Sequence, residues 1–167
     1  NSDVIQLMSN PAYTTHAVTV TRKLQAGMYN TACFPFDVEL EGLMASHPLK
    51  DAEALEMSSV NTSLYDDAGQ LITVINFTPV ATVSGKRTLK AGKAYLIKPK
   101  AEVSADITFT GVARANLTLD PIQTSCLSSD GTATFTFHST INPTTIPEGA
   151  LILVTNDWLS TPKTREV

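Results

Sequence analysis

Over residues 132–140 polar and apolar side chains alternate with period two. Thr132, Thr134, Thr136, His138 and Thr140 fall on one side, and Ala133, Phe135, Phe137 and Ser139 on the other. That is the pattern of a half-buried β-strand. The Asp130-Gly131 dipeptide before it is a turn signal, which makes residues 123–128 the partner arm of a hairpin. Residues 17–24 alternate in the same way, with Val18, Val20 and Leu24 opposed to Thr19, Thr21 and Lys23. Residues 28–34 are largely apolar on both faces, which predicts a central strand. Short runs at 71–77, 94–98, 106–112 and 150–155 complete the strand set. Turn signals separate them: Asp66-Asp67-Ala68-Gly69, Ser84-Gly85, Ala91-Gly92, Asn142-Pro143 and Pro147-Glu148-Gly149.

Only one segment has another period. Residues 38–47 place Leu40, Leu43, Met44 and His47 at helical spacing, with Pro48 as a stop. The expectation is an all-β chain: an antiparallel β-sandwich, jelly-roll-like, with at most one short helix near 38–47. It forms a single domain over residues 1–167, with Val18, Val20, Phe34, Ile97, Phe109, Phe135, Phe137, Leu151 and Leu153 in the core.

Composition narrows the function classes. Hydrophobic residues are 43% of the 167, charged residues 17%, and the net charge is −4. Lysine and arginine are scattered, with no run longer than the pairs Arg22-Lys23 and Lys86-Arg87, so nothing provides the basic footprint of a nucleic-acid binder. No apolar run reaches the eighteen or so residues of a membrane-spanning helix. Cys33 and Cys126 are far from C-x-x-C spacing. They could form one disulfide in an oxidising compartment, but the expectation is two separate thiols, Cys33 buried in a central strand and Cys126 near a hairpin tip.

Candidate chemistry is sparse. His16, His47 and His138 are too dispersed for a zinc site, and no metal or cofactor is expected. There is no G-x-S-x-G elbow and no phosphate-binding glycine loop. The loop at Asp66 and Asp67 lacks the calcium-binding pattern, and Asn61, Asn76 and Asn116 meet the N-x-[ST] rule in a threonine-rich chain. Asp37, Glu39 and Glu41 form an acidic group, and a carboxylate pair is what glycoside hydrolysis requires. An Asp directly after a strand is better read as capping backbone amides in the next turn, so no catalytic residue is assigned. Trp158 is the one candidate ligand-binding residue, with Asn156 and Asp157 beside it: it is placed in a polar loop where an aromatic face and hydrogen-bonding neighbours would suit a sugar ring.

Two phrases about sixty residues apart carry a resemblance. The first is Met28-Tyr29-Asn30-Thr31-Ala32-Cys33-Phe34-Pro35-Phe36-Asp37, entered through Thr19-Val20-Thr21-Arg22-Lys23-Leu24; the second is Lys90-Ala91-Gly92-Lys93-Ala94-Tyr95-Leu96-Ile97-Lys98-Pro99. Together they resemble a β-sandwich module of exported, cell-surface proteins of Bacteroidetes-type Gram-negative bacteria. Tyr29 stands where that module often has Trp, and Ala94 where it often has Pro. The likeness extends less specifically over residues 17–162.

The resemblance implies an extracellular or outer-surface location and a non-catalytic accessory role in adhesion, assembly or spacing. The partners it implies are other surface proteins or the remaining domains of a longer chain. Glycan binding is the alternative and a glycan-active enzyme domain the third reading. No functional residue carries over, because the shared motifs are structural. The resemblance also implies one more strand after the Leu159-Ser160-Thr161-Pro162 turn, so the expectation is that the fold needs a strand beyond Val167.

Overall fold

The structure, a computed structural model, describes residues 15–104, 106–141, 145–148, 150–154, 157–160 and 165–166. In chain order the strands are β1 (Thr15–Thr21), β2 (Asn30–Cys33), β3 (Val38–Glu39), β4 (Glu53–Tyr65), β5 (Leu71–Pro79), β6 (Thr82–Val83), β7 (Lys86–Leu89) and β8 (Ala94–Lys98). They continue with β9 (Asp106–Ala113), β10 (Thr124–Leu127), β11 (Thr134–Phe137), β12 (Thr145–Ile146), β13 (Leu151–Val154), β14 (Asp157–Ser160) and β15 (Arg165–Glu166). The protein is all-β, and every ladder between these strands is antiparallel.

A four-stranded sheet in the order β2-β8-β4-β5 is the largest unit, beside a three-stranded sheet β3-β7-β6 and the pairs β1-β9, β10-β11, β12-β15 and β13-β14. β8 is hydrogen-bonded on both edges and buries Ala94, Tyr95, Leu96 and Ile97 in succession. A strand covered on both faces needs such an unbroken apolar run. β2 lies at the sheet edge rather than its centre, with Thr31 exposed. The apolar character of its phrase comes from Phe34 and Phe36, which leave the strand and enter the core.

The longest strand, β4, is not legible in the sequence. Its buried Ala54, Met57 and Val60 recur every three residues, and its pairing with β5 shifts register between Met57 and Ser59 and again between Asn61 and Leu64. Bulges of this kind insert a residue and erase period two. The β4–β5 turn behaves as its residues predict: Asp66 Oδ1 accepts from the amides of Ala68 at 2.9 Å and Gln70 at 2.8 Å, and Gly69 takes φ +75°. Ser84 and Gly85, with φ 51° and 77°, make the β6–β7 turn, both in the left-handed conformation that tight hairpins need.

No helix forms over residues 38–47. Val38 and Glu39 pair with Leu89 and Thr88 as a strand. The chain then folds through single turns, with bonds from Gly42 N to Glu39 O, Leu43 N to Leu40 O and His47 N to Met44 O at 3.2, 3.3 and 2.8 Å. Each spans three residues, so no continuous α ladder develops. The segment is held from outside instead: Glu41 accepts from the Arg87 amide and Nε, both at 2.6 Å, and the Arg87 guanidinium also reaches the Ala52 carbonyl at 3.0 Å. Helical spacing here reflects contact with neighbouring strands. The described residues contain a 3-10 turn, Arg114–Asn116, at a different place.

One hydrophobic cluster joins Val18, Ile107 and Phe109 of the β1-β9 pair, Ala32, Ala54, Tyr95 and Ile97 of the four-stranded sheet, Val38 and Leu89 of the three-stranded sheet, and Phe34, Phe36, Leu40 and Leu49. Full burial of a side chain such as Phe or Leu contributes roughly 1.5–3 kcal/mol. Of the expected core, Val18, Phe34, Ile97 and Phe109 are buried, and Val20 packs partly buried against the cluster. Phe135 and Phe137 are only half-buried; Phe137 packs edge-on to Phe77 at 5.5 Å, outside the main cluster. Leu151 and Leu153 lie in β13, and their burial falls outside the described residues.

Candidate functional site

The two distinctive phrases are partners. Asn30, Thr31, Ala32 and Cys33 pair with Ile97, Leu96, Tyr95 and Ala94. Beyond the ladder the Gly92 amide donates to the Phe34 carbonyl at 2.8 Å. Asp37 closes the joint, accepting from the Ala91 amide at 2.8 Å and from Lys90 Nζ at 2.8 Å. These bonds hold its carboxyl below the usual range against the opposing pull of partial burial. It caps a turn, as the sequence suggests, but one more than fifty residues away rather than the next along the chain.

Other residues of the phrases serve the same joint. The Asn30 side chain donates to the carbonyls of Gln25 and Met28 at 3.0 and 2.8 Å and accepts from the Gln25 amide at 2.9 Å, which closes the turn into β2. The Tyr95 hydroxyl accepts from the Lys90 amide at 3.0 Å. Tyr29 donates to Glu53, which also takes Lys98 at 3.0 Å; these two bonds lower the Glu53 carboxyl. Gly92 is required by geometry: φ is +75°, and a Cβ there would sit 2.5 Å from the Asp120 carbonyl oxygen.

The acidic group separates into individual ion pairs. Asp37 binds Lys90, Glu39 binds Lys86 at 3.0 Å, and Glu41 binds Arg87 at 2.6 Å. The bonds from Arg87 also hold the Glu41 carboxyl below its ordinary value. Each carboxylate thus has its own cation, whereas acid catalysis by a carboxyl pair needs one group kept protonated.

Beside this region lies a groove of about 340 Å³ between the 36–47 segment and β9, lined by Phe36, Leu43, Met44, His47, Thr110 and Val112 among others. Its floor is aromatic. Phe36 and Phe109 meet edge-on at 5.0 Å, and His47 lies 4.9 Å from Phe109. His47 is buried: Nδ1 accepts from the Leu49 amide at 3.2 Å, while Nε2 has no partner in hydrogen-bonding geometry. Burial lowers its pKa, and the nearby Thr108 backbone offsets this only in part. Phe36 and Phe109 are themselves buried, so the groove offers a sugar no exposed ring to stack on. Sequence reasoning missed this groove because it is formed by segments about seventy residues apart.

Trp158 and Asp157 belong to β14, opposite Leu153 and Val154 of β13, and not to a loop. Their side chains and all of Asn156 lie outside the described residues. Cys33 is buried and Cys126 half-buried, both as free thiols, and Cys126 sits next to the last residue of β10 in the β10-β11 hairpin. His138 is exposed. Among the described residues no group of three or more His, Cys, Asp and Glu side chains could hold a metal ion. No helix among them is long and apolar enough to cross a membrane. Compared with known proteins, the chain matches no family model, no curated sequence and no solved structure.

Proposed function

We propose that this chain is a non-catalytic accessory module of an exported, cell-surface protein, of the Bacteroidetes type that its two phrases resemble, serving adhesion, assembly or spacing. The observation that supports this reading best is the engagement of the phrases with each other. Asp37 bonds to Lys90 and the Ala91 amide, and the Gly92 amide to the Phe34 carbonyl, across the β2-β8 joint, while Asn30 and Tyr95 brace the turns on either side of it, so the sequence that gives the chain its character works to hold the fold. The separate pairing of Asp37, Glu39 and Glu41 with cations argues in the same direction.

In its native cell, the intact chain should be accessible to added protease and antibody from outside; a signal confined to lysed cells would sink the surface reading. Polysaccharide turnover that disappears in Asp37→Asn or Glu39→Gln would replace it with an enzyme. Glycan binding is the second reading, resting on the chemistry of Trp158 and its Asn156 and Asp157 neighbours in the sequence. Glycan-array binding by the intact chain that is lost in Trp158→Ala would establish it.

A further inference from the structure

We propose that the outer edge of β5 over residues 71–75 is a self-association surface, on which a second copy of this chain pairs its own β5 antiparallel about Thr73. β5 is the outer strand of the four-stranded sheet. Its residues, Leu71-Ile72-Thr73-Val74-Ile75-Asn76-Phe77-Thr78-Pro79, include no charged side chain. Edge strands are ordinarily protected by lysine, inward charges or shortness, and this one has none of these over its first eight residues. Large apolar side chains stand exposed at its start and on the strand beside it: Leu71 is 62% exposed, Tyr65 68% and Leu64 41%.

The backbone direction follows from the pairing. The Val80 amide donates to the Ala54 carbonyl at 2.9 Å, which turns residue 80 toward β4. Alternation then turns residues 78, 76, 74 and 72 inward and Leu71, Thr73 and Ile75 outward. Both register shifts add their extra residue to β4, leaving the alternation of β5 intact. The outward N–H and C=O groups of Leu71, Thr73 and Ile75 have no partner among the described residues.

A second copy fits this edge with two-fold symmetry. Centred on Thr73, the pairing sets Leu71 opposite Ile75 of the other copy, Thr73 opposite Thr73, and Ile75 opposite Leu71. It forms roughly six backbone hydrogen bonds. Opposed aliphatic and threonine pairs are favourable cross-strand neighbours. Charge selects the direction. Asp66 and Asp67 lie at the turn before β5; parallel pairing would bring both acidic turns together. Antiparallel pairing about Thr73 instead sets Asp66 and Asp67 opposite the other copy's uncharged Val80 and Pro79. The inference does not depend on where the protein resides, so it stands or falls separately from the surface-module reading.

The test is sedimentation of the full chain over a concentration series, with far-UV circular dichroism as the control for folding. The wild type should form a dimer. Thr73→Lys and Thr73→Glu, at an exposed position, should each keep the fold and weaken dimerisation by roughly tenfold or more, because like charges then lie directly opposite. An equimolar mixture of the two should recover the dimer as a heterodimer, since position 73 meets itself. A wild type that stays monomeric, a dimer indifferent to both substitutions, a mixture that fails to recover, or open-ended fibres in place of a dimer would each overturn the proposal.

Discussion

At the scale of single residues, Gly92 and His47 are fixed by opposite constraints. Gly92 is dictated by backbone: its φ of +75° and the Asp120 carbonyl 2.5 Å from any Cβ leave no room for a side chain. Gly92→Ala should destabilise the protein by roughly 2–3 kcal/mol, measured by urea unfolding, since backbone strain and the displaced Asp120 turn add. His47 is dictated by burial. Its folded pKa lies below its unfolded value of about 6.5, so the unfolded chain binds the proton more tightly. The stability it contributes is therefore complete above about pH 6.5 and is lost as pH falls through the lower folded value. Unfolding free energy measured from pH 8 to pH 5 should fall with acid, and the slope should flatten in His47→Gln. Asp37, Glu41 and Glu53, whose carboxyls are lowered, extend the loss to more acid pH.

At the scale of elements, the informative contacts join segments remote in sequence. Arg87 on β7 holds the 39–52 segment through Glu41 and the Ala52 carbonyl. Arg87→Met should accelerate hydrogen exchange at Gly42, Leu43 and His47 while the amides of β8 keep their protection, because β8 is paired on both edges. Equal loosening of both would show that Arg87 supports the whole fold rather than this segment. Helical spacing at Leu40, Leu43, Met44 and His47 misleads here, because a chain pinned by a neighbour's guanidinium can bury the same positions without an i to i+4 ladder. β10 and β11 are shorter than their alternating sequence, since only four register pairs form between them.

At the scale of the molecule, the core is one cluster shared by the β1-β9 pair and the four-stranded sheet, so its opening is a global event. Cys33 reports on it. The thiol is buried and its pKa is pushed up to about 11 by burial, with Arg22 opposing weakly. At pH 8 iodoacetamide should modify half-buried Cys126 in the native protein and Cys33 only at the rate of unfolding, read by intact mass. Rapid native modification of Cys33 would show that its end of β2 opens locally.

Much of this was written in the chain itself. Strand β1, which ends at Thr21 rather than residue 24, strands β8 and β9, the turns at Asp66-Gly69 and Ser84-Gly85, and the burial of Phe34, Ile97 and Phe109 follow from period two, apolar runs and the conformational needs of glycine. These are local properties, and local sequence encodes them. Strand β4 and the true state of residues 38–47 were set only by tertiary structure, because bulges and side-chain anchoring from β7 override the local period. The same holds for the candidate site: Asp37 could be read as a cap, but the amide it caps lies at Ala91. The His47 groove and the outer position of β5 likewise exist only after residues far apart in sequence are brought together, and no spacing along the chain records which strand will lie outermost in its sheet.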